Sequence, residues 1–181
     1  MYTYPIAIHH LYISPGHNYF THARGKPGTH PTLDLKRAEL HAHRGIVGDR
    51  FYGKGVDFDG HVTFFAWEVH QLLVAEGGLS IASPAAFRRN VVIEGVPLNQ
   101  LIGADFVIDG VHFRGAKHCA PCRWMDDAVA QGALARLKGR GGLRAQVLSD
   151  GSLQRGATTL KTDVALDLGE IATPLPRPKL P

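Results

Sequence analysis

The stretch ADFVIDGVHFRG (residues 104–115) decides how this chain folds. Asp109-Gly110 is a favoured two-residue hairpin loop, because both central positions of that turn need the left-handed backbone that Asp and Gly tolerate. The register that follows sets Ile108 opposite Val111 and Phe106 opposite Phe113, so one face of the hairpin is apolar throughout. It also sets Asp105 opposite Arg114, a complementary pair that contributes about 0.2–1 kcal/mol.

Beyond the hairpin the second strand runs through Gly115 to His118 and delivers the two cysteines of the chain, in HCAPCRW (residues 118–124). Pro121 has no N–H to give, so the ladder stops there. A helix is expected from Asp126, as N-cap, through DAVAQGALARLKG to the glycines around Gly141 and Gly142. LRAQVLSDGSLQRG then reads as a second Asp-Gly hairpin with Leu148 facing Leu153. The closing TPLPRPKLP is proline-rich and reads as a frayed tail.

Toward the N-terminus, IAIHHLYIS reads as a first strand, and residues 14–32, dense in Gly, Pro and Thr, as a long loop. HAHRGIVGDRFYGKG suggests a strand ending in a turn punctuated by Gly45 and Gly48. HVTFFAW is strand-like and WEVHQLLVAEGG helical, with Val69, Leu72 and Leu73 on one face and Gly77 and Gly78 as the stop. Ser83-Pro84 is an N-cap and first helical position, so SPAAFRR forms a short turn that feeds Arg88, Arg89 and Asn90 into the strand NVVIEG. Many strands and few helices argue for a mostly β domain, a barrel with helices at its rim.

At 181 residues the chain is long enough for one sizeable core. We read residues 1–165 as one domain, with its core motifs at 40–156, and 166–181 as a Pro-rich C-terminal tail. No run approaches the length of a membrane span, and the N-terminus lacks the pattern of a secretory signal, so a cytoplasmic, membrane-free protein is expected. The net charge of +4 is modest and scattered, which favours a small anionic ligand over nucleic acid. No internal repeat and no nucleotide-binding glycine fingerprint is present.

Two cysteines make no disulfide scaffold, and their spacing points to metal or redox chemistry. A structural zinc site needs two further ligands, for which His118, His112 or the His41 and His43 pair are the candidates. A thioredoxin-like couple needs a βαβ setting that the chain lacks. Simple packing of buried thiols is the plainest alternative. Against it, Lys117, His118 and Arg123 surround the pair with positive charge, and a following helix N-terminus also favours the thiolate, the form that binds soft metals or carries sulfur.

Four stretches in this order resemble the MOSC domain family, named after the C-terminal domain of molybdenum cofactor sulfurases. They are GIVGDR (residues 45–50), FRRNVVIEGVPLNQLIG (87–103), the hairpin leading into CAPC (119–122), and GLRAQVLSDGSLQRG (142–156). The resemblance implies a β-barrel similar to the pyruvate kinase β-barrel domain, with a cysteine at its mouth that carries sulfur or ligates molybdenum in a pterin cofactor. That cysteine maps onto Cys122. Cys119 stands where the related amidoxime-reducing enzymes carry a further cysteine. The R-P-N segment of those enzymes is matched by Arg89-Asn90, with Arg89 in place of proline and Arg88 at the basic position. The separate N-terminal barrel of those enzymes has no counterpart here, so the chain looks more like the compact bacterial single-domain members.

A molybdenum–pterin cofactor presents a phosphate, a polar pterin and a soft metal, and calls for guanidinium or ammonium groups, backbone donors and a thiolate. The residues that would serve are Arg50, Arg88, Arg89, Lys117, Arg123 and, beside the thiols, His118 for the anion, Asn90 for the pterin edge, and Cys122 with accessory Cys119 for the metal. Asp49 is assigned to turn chemistry after Gly48. The resemblance implies reduction of N-hydroxylated or N-oxygenated small molecules with an external electron donor protein. Two readings stand beside it: a sulfur carrier using a Cys122 persulfide fed by a sulfur donor, and a zinc-stabilised binding domain. The 14–32 loop gives no substrate clue.

Overall fold

Phe106 pairs with Phe113 across the Asp109-Gly110 turn, Ile108 with Val111, and Asp105 with Arg114, whose Nη1 donates to Asp105 at 2.9 Å. The computed structural model describes residues 1–77 and 83–176 and contains the expected hairpin. In chain order the strands and helices are β1 (Tyr2–Ile13), β2 (Leu33–Asp34), β3 (Arg37–His41), β4 (Gly45–Ile46), β5 (Val62–Ala66), α1 (Trp67–Gly77), β6 (Val91–Glu94), β7 (Asp105–Ile108), β8 (Val111–His118), α2 (Trp124–Ala128), α3 (Ala133–Arg136), β9 (Leu143–Val147), β10 (Gly151–Gln154) and β11 (Gly156–Thr162).

Seven strands run β11-β7-β8-β9-β5-β6-β1, and β1 pairs back to β11, which closes the sheet into a barrel and leaves no free edge around it. The fold is therefore a mostly β barrel with minor helix. β3, β4 and β10 form a separate three-stranded sheet. β5 is buried along its whole length. Phe64 makes edge-on contacts with Phe106 and Phe113, at 5.6 and 5.5 Å between ring centroids. Phe65 stacks on Phe87 at 4.6 Å. β5 and β6 are parallel, so a crossover must join them, and α1 supplies part of it while burying Val69 and Leu73.

Ser83 and Pro84 start a 3-10 turn, Pro84–Phe87, in which Ser83 accepts from Ala85 N–H. Gly78 lies outside the described residues. Gly115 has no room for a side chain: a Cβ there would strike the carbonyl of Leu101, which the returning segment 98–104 presses against β8.

Three local expectations are corrected. The helix from Asp126 is two short helices, α2 and α3, split at Gly132, whose φ of 86° breaks the helical path. Asp126 accepts from Leu134 N–H at 2.9 Å and so supports the second helix instead of starting the first. LRAQVLSDGSLQRG is not a hairpin. Both edges of β9 are taken, by β8 and β5, so β10 has nowhere to pair beside it and joins β3, where Leu153 faces Ala38. Asp150 accepts from Ala42 N–H at 2.7 Å and steers the chain away. The frayed tail is corrected only at its start, where Asn99 donates to Thr173 O at 3.1 Å and Leu175 N–H donates to Gly139 O at 3.0 Å, and residues 177–181 lie outside the described residues.

Candidate functional site

β8 ends at His118, and the chain continues beyond the strand carrying Cys119, which is buried, and Cys122, which is exposed. Cys119 is fixed from both sides. Its N–H donates to Gly142 O at 2.7 Å, and its carbonyl accepts from Arg89 Nη2 at 3.2 Å. Arg89 also donates to Gly141 O at 2.9 Å and to Phe87 O at 2.8 Å, so three of its N–H groups clamp main chain. Gly141 permits the approach, since a Cβ on it would collide with the Cys119 carbonyl.

Both thiols line one cavity of about 460 Å³, together with the guanidinium-bearing residues Arg50, Arg88, Arg89 and Arg144. Arg50 is nearly enclosed and pairs with buried Asp49 at 3.2 Å. Burial is the main force that weakens its hold on its proton, to about 10, with Asp49 working the other way and Arg88 and Arg89 adding to the fall. Arg50 stays charged at neutral pH. Arg88 is lowered too, chiefly by burial. Its backbone is left-handed, φ 55°, and its side chain donates to Gly16 O at 3.0 Å and lies 5.4 Å from the Tyr19 ring centre.

Arg144 was not among the expected residues. It sits on β9 opposite Lys117 and Thr63, where alternation turns Leu143, Ala145 and Val147 into the core and Arg144 the other way. Burial works to lower it, but Cys119, by charge and hydrogen bond, and Asp59 outweigh that and hold it above its ordinary value. Asp59 is shared between Arg144, at 3.3 Å, and Lys117. Burial would raise Asp59, yet those two cations hold it below the usual carboxylate range.

Four expected site residues do not line the cavity. Asn90 is buried and spends both amide hydrogens and its oxygen internally: it donates to Tyr12 O at 3.0 Å and Asp49 Oδ2 at 3.2 Å, and accepts from Thr63 N–H at 3.1 Å and Thr63 Oγ1 at 2.8 Å. It fixes Asp49, and through it Arg50. Asp49 also accepts from Phe51 N–H at 3.1 Å, the turn role expected of it, and from Ser14 N–H at 3.2 Å. His118 Nε2 accepts from Gly141 N–H at 3.0 Å, and burial, then Arg89, lower its proton affinity. Lys117 is exposed and paired with Asp59, and Arg123 is exposed at the start of α2.

The 14–32 loop forms a wall of the cavity through residues 17–22. Asn18 and His30 clasp its two limbs with a pair of 2.9 Å bonds. Arg24 ties it to α2 by bidentate bonds to Asp127 at 3.0 and 3.3 Å, and Tyr19 meets Trp124 at 5.0 Å between centroids. Phe20, Phe51 and Phe58 line the same cavity, where the Arg50 guanidinium lies 4.7 Å over the Phe51 ring centre. Their separation by tens of residues hid this wall from the sequence.

Fold and site together define a closed β-barrel protein with paired cysteines in a guanidinium-lined cavity. The chain belongs to the MOSC domain family, whose MOSC domain matches residues 61–159. Arg50 and the 14–32 loop lie outside that segment. Among solved structures, the YUAD protein from Bacillus subtilis is similar with a TM-score of 0.68 at 16% identity, over 88% of this chain and 96% of that one. YiiM from Escherichia coli is similar with a TM-score of 0.60 at 15% identity, over 95% of this chain and 76% of that one. YiiM from Geobacillus stearothermophilus is similar with a TM-score of 0.62 at 13% identity, over 85% and 73%. At these identities the likeness speaks to the fold alone. No curated protein matches the sequence. No helix among the described residues is long and apolar enough to cross a membrane.

Proposed function

We propose that the cavity binds a molybdenum–pterin cofactor, with Cys122 as metal ligand, and that the protein reduces N-hydroxylated or other N-oxygenated small molecules. One observation carries the reading: four arginines and both thiols of the chain open on a single cavity of about 460 Å³. The donor set fits the group. Guanidiniums suit phosphate by their paired donors, and a thiolate suits a soft metal. Arg50 and Arg88 are the anion-holding pair, because burial weakens competition from water. Arg89 sets the position of the cysteine segment, and Asn90 that of Asp49 and Arg50.

When bound, the cofactor supplies the two-electron redox chemistry that reduction of an N–O bond requires. The chain holds the anion, orients the thiols and walls off water with the rings of the 14–32 loop. Electrons come from an external donor protein. Protein loaded with cofactor, given a chemical reductant under anaerobic conditions, is expected to consume it in step with loss of an N-hydroxylated substrate. A loaded, folded protein that leaves a range of such compounds untouched overturns the reductase reading.

The exposure of Cys122 also favours a second reading, sulfur carriage by a Cys122 persulfide. A sulfur adduct confined to Cys122 by mass spectrometry supports it, and an unreactive Cys122 removes it. Zinc has less support. His118 Nε2 and both ring nitrogens of His41 already have partners, and among the described residues no three His, Cys, Asp or Glu side chains are grouped to hold a metal ion.

A further inference from the structure

We infer that Cys119 is a second working thiol of the cavity, an inner one, and that Arg144 is the positioning residue that makes it select small anions bearing a soft electrophilic centre. The two cysteines are unequal in their surroundings. Cys122 is exposed, whereas Cys119 is 5% exposed and yet still lines the cavity. A buried thiol that merely packs would face apolar neighbours. Cys119 instead opens on a cavity that it shares with the guanidinium-bearing side chains of Arg144 and Arg50.

The backbone supports the same conclusion. Cys119 is held by the Gly142 bond on its N–H and the Arg89 bond on its carbonyl, so its side chain is aimed by two independent anchors. Arg144 is aimed as well, since Asp59 holds it at 3.3 Å and Lys117 in turn holds Asp59. Lys117 is exposed, Asp59 and Arg144 are partly exposed, and Cys119 is buried. Fixed positive groups in a low-dielectric cavity concentrate anions and reject cations. A neutral reagent gains nothing from them. An anion that reaches Cys119 does so within a cavity lined by four arginines, and its charge is met in the same cavity as the sulfur that attacks it.

The inference concerns the cavity already described but does not need the cofactor, so it is tested on cofactor-free protein, and its failure leaves the metal-content test untouched. Reduced protein is alkylated with iodoacetate, an anion, or with iodoacetamide, its neutral counterpart, and each cysteine is followed by peptide mass spectrometry. In both reactions the thiolate sulfur forms the S–C bond and iodide leaves with the bonding pair. The iodoacetate-to-iodoacetamide rate ratio at Cys119 is expected to exceed that at Cys122 by about tenfold, the scale on which charged clefts raise anion encounter. Inorganic phosphate should slow the iodoacetate reaction at Cys119. Arg144→Gln should bring the Cys119 ratio down to that of Cys122, while Arg144→Lys, which keeps the charge, should retain most of it. A purely structural Arg144 would alter both reagents' rates alike. Cys119 unlabelled by either reagent in the folded protein overturns the inference, as does a ratio equal at both cysteines and indifferent to Arg144→Gln.

Discussion

Arg89 donates to the main-chain carbonyl of Cys119 at 3.2 Å, thirty residues away in sequence, and in doing so joins the strand entering the barrel to the segment that carries both thiols. The same guanidinium holds Gly141 and Phe87. Its first duty is to shape the site, with its remaining donors free to meet an anion.

Arg89→Ala removes three bonds from a charged donor to main-chain carbonyls and should cost about 2–4 kcal/mol of stability. Arg89→Lys cannot span three carbonyls and should recover only part of it. Urea unfolding midpoints check both, and a variant as stable as the parent contradicts the clamp.

Asn90→Ala strips four bonds from a buried network and leaves Asp49 short of a donor. The expected loss is about 2–4 kcal/mol, read as a fall in Tm. Because Asn90 does not line the arginine cavity, phosphate affinity should drop only as far as Asp49 and Arg50 shift. An anion-binding loss with Tm unchanged would restore Asn90 as a ligand-contacting residue.

The Asp109-Gly110 hairpin, the β8 approach to the cysteines and the Ser83-Pro84 turn were legible because each is set by neighbours in sequence. β11, GATTLKT, went unread: it closes the barrel by pairing with β1 and β7, and only those distant partners make Leu160 and Thr162 inward positions. The second Asp-Gly turn misled because local chemistry specifies a turn, not which edge is vacant. The cysteines and Arg50, Arg88 and Arg89 were legible as residue types. Arg144 was not, since its place depends on β9 register and on Asp59, 85 residues away.

His118 gives a pH prediction. It accepts from Gly141 N–H through Nε2 and so is needed neutral, and burial with Arg89 lowers its folded proton affinity below the ordinary value of about 6.5. The unfolded chain then binds the proton more readily. Its contribution is present above about pH 6.5 and is lost as pH falls toward the folded value. His118→Gln, whose carbonyl can still accept, should unfold with a shallower loss of stability below pH 6.5. Denaturant titrations at stepped pH measure it, and identical acid slopes would contradict the assignment.

The 14–32 loop is tied to α2 by Arg24 and Asp127 on the surface. Arg24→Ala should leave Tm unchanged, because exposed pairs add little. It should instead speed backbone hydrogen exchange and limited proteolysis within residues 17–28. Unchanged exchange in this variant would mean that Tyr19, Arg88 and the Asn18–His30 clasp hold the loop by themselves.

The most direct test of the central proposal is the molybdenum and pterin content of wild-type protein from a cofactor-competent host, measured beside Cys122→Ser and Cys119→Ser. Molybdenum is expected in the wild type and is expected to be lost in Cys122→Ser. A folded, fully reduced wild type without molybdenum, or a Cys122→Ser variant that retains it in full, contradicts the account.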